Sequence, residues 1–279
     1  MQEISYPPYS VLMSVYFKEQ PGFLKQSIDS MLNQTVKPDE IVIVEDGPLT
    51  DELYKVLNGY TENYHDIFHR VVNETNLGLG KALSRGLEVC KNEFVARMDT
   101  DDISLAERCE KQLKFFFKNA NIDVVGTNIA EFVSNPEEIV SVRKVPSNNE
   151  EICAFLKKRC PFNHMSVMFK KSAVLNAGGY LDWHYNEDYY LWIRMYLSDY
   201  HFANINENLV NVRVGSEMFA RRGGISYYRS EKNLFKFMYK HKIISWWSYQ
   251  KAKFVRFIVQ VMMTKKMRQC FFKRFARKQ

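Results

Sequence analysis

Apolar positions along the chain fall into two alternating rhythms. Short runs that are apolar on both faces, Ser10–Phe17, Glu40–Val44, Phe68–Val72 and the opening of Asn92–Asp102, predict strands buried on both sides. Between them the spacing turns helical. Pro21 opens a helix to about Gln34 with Phe23, Leu24, Ile28, Met31 and Leu32 on one face, and further helices are predicted over Leu49–Tyr60, Lys81–Cys90 and Ser104 to about Asn119. Strands alternating with helices at short intervals predict a parallel sheet covered by helices, with right-handed crossovers. After Asn119 the pattern is less regular. Asp123–Thr127 reads as a strand, Ile129–Val133 and Ile139–Val145 as a hairpin across Ser134, Asn135 and Pro136, and Phe162–Phe169 as a strand with a polar start. A short helix ends at Gly178 and Gly179, a longer one runs from Glu187 through Met195, and another begins near Ser226.

In parallel sheets, ligands bind beyond the carboxyl ends of the strands. Each strand of the first half ends in polar chemistry. The ends are Tyr16 to Glu19, then Glu45, Asp46 and Gly47, then Asn76 with Gly78, and last Asp99, Thr100, Asp101 and Asp102. Four such ends on one sheet edge make a nucleotide-sized crevice. Three carboxylates within four positions repel one another without a cation. Oxygen ligands of this kind suit Mg²⁺ or Mn²⁺ together with substrate phosphates. For the Asp99–Asp102 stretch taken alone, the competing reading is a solvated acidic loop before a helix.

A length of 279 residues, 46% of them hydrophobic and 25% charged, describes an ordinary folded protein with a sizeable core. The cysteines Cys90, Cys109, Cys153, Cys160 and Cys270 are scattered, which argues against a disulfide framework or a zinc site and for buried thiols. No apolar run resembles a signal peptide or a membrane span, so the expected compartment is the cytosol. The net charge of +7 is concentrated at one end. Of 39 Lys and Arg, eleven lie in residues 241–279, where there is no Asp or Glu, and residues 1–240 hold 28 basic against 32 acidic side chains. Any anionic partner therefore belongs to the tail.

One ordered set of motifs is specific. Ser14 to Tyr16, Val44 to Gly47, Asn76 with Gly78 to Leu83, Arg97 to Asp102, and Asn186 to Asp188 together resemble glycosyltransferase family 2, over roughly residues 9–235. The resemblance implies an α/β fold of the GT-A (Rossmann-like) type, with a mostly parallel central sheet flanked by helices and a helical basic C-terminal extension. It implies a catalytic domain over 1–240, with a nucleotide-sugar half at about 9–128 and an acceptor half at about 129–240, followed by a basic amphipathic tail over 241–279. The activity it implies is inverting transfer of a hexose or N-acetylhexosamine from a nucleotide sugar, a UDP-sugar above all, to a hydroxyl in bacterial capsule, exopolysaccharide or O-antigen (lipopolysaccharide) synthesis. The implied cofactor is Mn²⁺ or Mg²⁺.

By the same resemblance Val15, Tyr16, Glu19, Asp46 and Asn76 line the nucleoside site, Arg97, Asp99 and Thr100 lie near the ribose and diphosphate, and Asp101 with Asp99 holds the metal. Lys81 and Arg85 are candidate nucleotide contacts or plain helix-surface cations. Asp188 is the implied base that takes the acceptor proton, supported by Glu187. Helix capping is the competing account of that pair. His164 is near the diphosphate or structural, and Trp183 and Tyr185 stack on the acceptor sugar or belong to the core. Arg221 and Arg222, with Gly223 and Gly224, suit a loop that grips a diphosphate, or a surface turn.

The tail joins Trp246, Trp247, Tyr249 and the Phe254–Met263 run to cations from Lys265 to Lys278. That suits an anionic membrane surface, hence a peripheral place on the inner face of the cell membrane, or a helix packed on the domain. The acceptor implied is a glycan or a polyprenyl-diphosphate-linked sugar. Nucleic acid is not expected, since no recognition motif accompanies the charge. A sugar-phosphate nucleotidyltransferase would show a Gly-rich basic loop after the first strand, where Tyr16 to Gln20 stand instead. A non-catalytic partner retaining the fold is the remaining alternative.

Overall fold

The computed structural model describes residues 6–215, 223–264 and 267–268. Four strands, β1 (Tyr9–Val15), β2 (Glu40–Asp46), β3 (Phe68–Asn73) and β4 (Phe94–Arg97), pair in parallel in the order β3-β2-β1-β4. Their crossovers are α1 (Pro21–Leu32), α2 (Asp51–Asn63) and α3 (Leu79–Val89). The strands are apolar throughout because both faces are covered. Val11, Met13, Val15, Ile41 and Ile43 enter one core with α1 and α2, while Leu12, Val42 and Val44 enter a second with α3.

The parallel run ends at β4. Beyond Ile103–Ser104 (β5) and α4 (Arg108–Lys118) come β6 (Val124–Phe132), β7 (Ile139–Arg143), α5 (Asn149–Leu156), β8 (Met168–Lys170), α6 (Lys171–Asn176), α7 (Glu187–Leu197) and β9 (Phe202–Arg213). The sheet continues β4-β8-β6-β9-β5, with β8 antiparallel to both neighbours, β9 parallel to β6, and β7 paired on β6. The expected hairpin is present, but the strand expected to end at Thr127 runs on into it as one nine-residue strand.

Two differences from the sequence reading have physical causes. The helix expected from Ser104 starts at Arg108, because Ser104 and Leu105 spend their backbone on Ser30 and on Leu209 of β9. The strand expected from Phe162 starts at Met168, after a turn of 3₁₀-helix at His164–Ser166 whose first N–H bond runs from Ser166 to the Asn163 carbonyl. Strand β9 itself was not anticipated. Its middle, Asn206 to Asn208, is polar and exposed, which interrupts the alternation.

Helices α8 (Ile225–Lys240) and α9 (Trp246–Phe257) close the described chain, and a π-helical turn, Ile258–Met262, ends α9. Helix α9 packs on α8 through stacked Tyr239 and Tyr249, through Tyr228 against Phe257, and through Arg256, which lies over Phe235 and pairs with Glu231.

Helix α3 lies close to β1 and β2 because Gly86 has no side chain. A Cβ there would sit 2.5 Å from Leu12 Cδ1 and 2.6 Å from Val44 Cγ2. Gly86→Ala would improve helix propensity by up to about 1 kcal/mol, yet overpacking of this contact costs about 1–3 kcal/mol. The expected outcome is a net loss of about 1 kcal/mol, read as a lower urea midpoint at unchanged slope.

Candidate active site

Because β1 to β4 are parallel, their carboxyl ends meet on one edge, with Val15 beside Glu45 and Asp46 beside Asn73. Asp46 is buried and fastens the loop after β3. Its Oδ1 accepts from Asn73 Nδ2 (3.0 Å) and Leu77 N (2.8 Å), and its Oδ2 from Gly78 N (2.9 Å). Asn76 Nδ2 donates to the Asp46 carbonyl at 3.1 Å, and Arg85 donates to Asn73 Oδ1. Gly47 (φ 88°) permits this approach, since a Cβ there would stand 2.7 Å from Asn76 N. Asp46 thus shapes the loop by means of three donors, and Oδ2 keeps room for another. On β1, Val15 is buried and Tyr16 exposes 38% of its surface. Glu19 accepts from Thr100 Oγ1 at 2.6 Å, which ties the loop after β1 to the acidic stretch after β4.

Asp99, Asp101 and Asp102 offer carboxylate oxygens that all lie within 4.8 Å of one another. Asp99 pairs with the buried guanidinium of Arg97, whose Nε and Nη1 have no hydrogen-bond partner. Asp102 is buried and accepts from Arg213 N at 2.8 Å. Burial, then the charges of Asp101 and Asp99, pushes its carboxyl well above the ordinary range. Arg213, at the end of β9, lies between Phe23 (3.8 Å) and Phe132 (4.6 Å), with Nε 3.3 Å from the Asp101 carbonyl and Nη2 2.8 Å from Gln26 Oε1. This donor set is hard, anionic and crowded, two of its members are half-exposed, and it fits a divalent cation.

The start of α7 faces that edge. A Cβ at Gly80, in the first turn of α3, would meet Glu187 Cβ at 3.2 Å and the Leu181 carbonyl at 3.1 Å. Glu187 Oε2 is buried without a hydrogen-bond partner, and burial plus Asp188 raises its carboxyl to about 7. Burial also raises Asp188, opposed by the Tyr189 N–H, by Cys160 and by Arg143. Cys160 Sγ lies 3.5 Å from Asp188 Oδ2. Tyr180, whose phenol feels Arg97, Asp188, Glu187 and Asp99, is 2.9 Å from His164 Nε2. Burial, then Arg97, holds His164 well below its usual range, so it is neutral.

The remaining candidates are spread out. Lys81 pairs with Asp182 at 3.1 Å across the two helix starts, both half-exposed. Trp183 packs on Tyr190 (4.3 Å) and donates to the Ser230 carbonyl of α8, while Tyr185 (φ 75°) keeps its ring largely exposed beside His184 and Tyr227. Tyr189 is core, donating to the Leu156 carbonyl. Arg221 and Arg222 lie outside the described residues, as do the tail cations Lys265, Lys266, Lys273, Arg274, Arg277 and Lys278. Arg268 is buried and donates to the carbonyls of Val259, Gln260 and Met263. Sequence reasoning missed Arg213, Tyr180, Arg143 and Cys160. Leu209 to Val214 does alternate, which signals the strand carrying Arg213, whereas nothing local marks Cys160.

The model of the family described as "Glycosyl transferase family 2" matches residues 10–176. The chain is 41% identical to the amylovoran biosynthesis glycosyltransferase AmsE of Erwinia amylovora, covering 82% of this chain and 84% of that protein. It is 38% identical to the UDP-Gal:alpha-D-GlcNAc-diphosphoundecaprenol beta-1,3-galactosyltransferase of Escherichia coli, covering 86% of each. Among solved structures, S. aureus TarS residues 1–349 in complex with UDP-GlcNAc superposes with a TM-score of 0.64 at 17% identity, covering 83% of this chain and 66% of that one. The mannosyltransferase PcManGT of Pyrobaculum calidifontis, with GDP-Man and Mn²⁺, gives 0.63 at 14% identity over 97% and 76%. At these identities the two structures bear on the fold alone, which is the GT-A α/β architecture. Order of motifs, fold and relatives agree, and the chain belongs to glycosyltransferase family 2.

Proposed function

We propose that this protein is a metal-dependent, inverting glycosyltransferase that moves a hexose or N-acetylhexosamine from a UDP-sugar to a hydroxyl of a lipid-linked or glycan acceptor in surface polysaccharide synthesis. The observation that carries this reading is the facing arrangement of two acidic groups on one sheet edge. Asp99, Asp101 and Asp102 stand at the end of β4, and Glu187 and Asp188 stand at the start of α7, with Arg97 and Tyr180 between them. The E. coli relative, whose name gives a UDP-sugar donor and a diphosphoundecaprenol-linked acceptor, supports both choices. The close group of carboxylates at Asp99, Asp101 and Asp102 supports the cofactor.

In this reading the loop fastened by Asp46, with Val15, Tyr16, Glu19 and Asn76, receives the nucleoside. Asp101 and Asp99 would hold Mn²⁺ or Mg²⁺, which when bound stabilises negative charge on the leaving diphosphate. Arg97 holds Asp99 in place through their ion pair. The acceptor hydroxyl attacks the anomeric carbon as the bond to the diphosphate breaks, and its proton passes to Asp188. One displacement inverts the configuration, and no covalent enzyme intermediate forms. Neutral His164, bonded to Tyr180, supports the wall between the two acidic groups.

The base must be ionised to act. Burial raises both Glu187, to about 7, and Asp188, so kcat/KM is expected to rise with pH along an acidic limb that lies above the ordinary carboxylate range. A panel of UDP-galactose, UDP-glucose and UDP-GlcNAc with an α-GlcNAc-diphospholipid acceptor and Mn²⁺ tests the reading. We expect turnover with at least one donor, a drop of at least about 10²-fold in Asp188→Asn, and UDP affinity within a factor of two of wild type. Loss of UDP binding in that variant would make Asp188 structural.

We further propose that the 241–279 tail rests on the anionic inner face of the membrane. The side of α9 turned away from α8 exposes Trp247 (76%) and Phe254 (65%), and Met262 of the following turn is also exposed, while Lys251 and Lys253 stand on the same helix. No helix among the described residues is long and apolar enough to cross a membrane. Co-sedimentation with phosphatidylglycerol vesicles is expected to exceed that with phosphatidylcholine, and Trp247→Glu with Phe254→Glu is expected to weaken it at least about tenfold. Equal binding to both lipids would remove the electrostatic part of the claim.

A further inference from the structure

The geometry points to Cys160 as a positioning residue for the base, a thiol that holds the Asp188 carboxylate in the orientation needed to receive the acceptor proton. This inference rests on the reading of Asp188 as base. Cys160 lies between α5 and the 3₁₀ turn at His164–Ser166, and its Sγ donates toward Asp188 Oδ2 at 3.5 Å. The loop that carries it is not left free to drift. Arg143, at the end of the β7 arm of the hairpin, donates from Nη2 to the Cys160 carbonyl (3.2 Å) and the Phe162 carbonyl (3.4 Å). Below the loop, the Phe162 ring packs edge-on against Trp192 of α7 and Phe202 of β9. Hairpin, loop and helix are thus joined at one carboxylate.

A carboxylate on the first turn of a helix has two rotamer-linked ways to point, toward its own backbone N–H groups or outward. The Cys160 thiol engages Oδ2 while the N–H groups of Tyr189 and of Asp188 itself also donate to the carboxylate, and together they select one orientation, whose remaining lone pair would receive the substrate proton. A thiol is a weak donor, so it orients the group while lowering its basicity less than a charged partner would. Burial keeps the Cys160 thiol itself protonated, well above its ordinary range, with Asp188 adding to the effect. The charged and titratable groups facing Asp188 are Glu187 and Tyr189 on its own helix, Cys160 on the loop, Arg143 on β7, and Tyr180 on the segment before α7. Cys160 and Arg143 both favour the ionised carboxylate, and both come from the acceptor half of the chain.

The test uses the full-length protein, Mn²⁺ and the UDP-sugar panel with the α-GlcNAc-diphospholipid acceptor. In Cys160→Ala, kcat is expected to fall about two- to tenfold with KM for the donor unchanged. The acidic limb of the pH profile should move to higher pH, because the ionised base has lost a donor. Cys160→Ser, which restores an O–H, should return the limb toward wild type. Arg143→Gln should move it in the same direction as Cys160→Ala. An unmoved limb in Cys160→Ala, or an equal loss in the Ala and Ser variants with a lowered Tm, would overturn the inference and leave Cys160 as packing. Asp188→Asn separates the two levels. If that variant keeps turnover, the assignment of the base fails and this inference with it. If it is inactive while Cys160→Ala matches wild type, only the inference fails.

Discussion

The site depends on negative charge gathered at the end of one strand. Three carboxylates lie within 4.8 Å, and the cation buried behind them, Arg97, makes an ion pair with Asp99. Removing a partner from such a buried pair costs several kcal/mol, so Arg97 and Asp99 hold each other in place. Asp102 avoids the conflict by burial, with its carboxyl pushed up and the Arg213 N–H on one oxygen. Asp99 and Asp101 are the half-exposed members of the group, Asp101 beside the Arg213 guanidinium, and in the proposed reading a divalent cation would join them.

Everything else in the fold serves to bring a second acidic pair to the same place. Four parallel strands align their ends, and the glycine at position 80 lets the start of α7 approach the start of α3. Arg194 of α7 donates to the carbonyls of Ala177 and Gly179, which fixes the turn that presents Tyr180. The antiparallel strand β8 and the long strand β9 fold the second half back onto the first, and β9 delivers Arg213 beside Asp101 and Asp102. A buried arginine, a neutral histidine and a phenol then lie between the Asp99–Asp102 group and the Glu187–Asp188 pair.

Much of this was legible in the chain because its signals are local. Runs such as Ile41 to Val44 announce strands buried on both faces, and Asp99, Asp101 and Asp102 stand out as a cluster of carboxylates at a strand end once the neighbouring motifs are read with them. What stayed hidden was set by contacts distant in sequence. Ser104 looked helical until β9 claimed its backbone, and β9 was concealed by its polar middle. The roles of Arg213 and Cys160 exist only once residues 112 and 28 positions away are folded against them. Asp46 is a loop fastener as well as a strand end, for the same reason.

The most direct measurement is a calorimetric titration of UDP into the protein with Mn²⁺ and again with EDTA. The account predicts one UDP per chain, bound at least about tenfold more tightly with Mn²⁺, and loss of that difference in Asp101→Ala. Equal affinity with and without metal in the wild-type protein, or a metal effect that survives in Asp101→Ala, would contradict it.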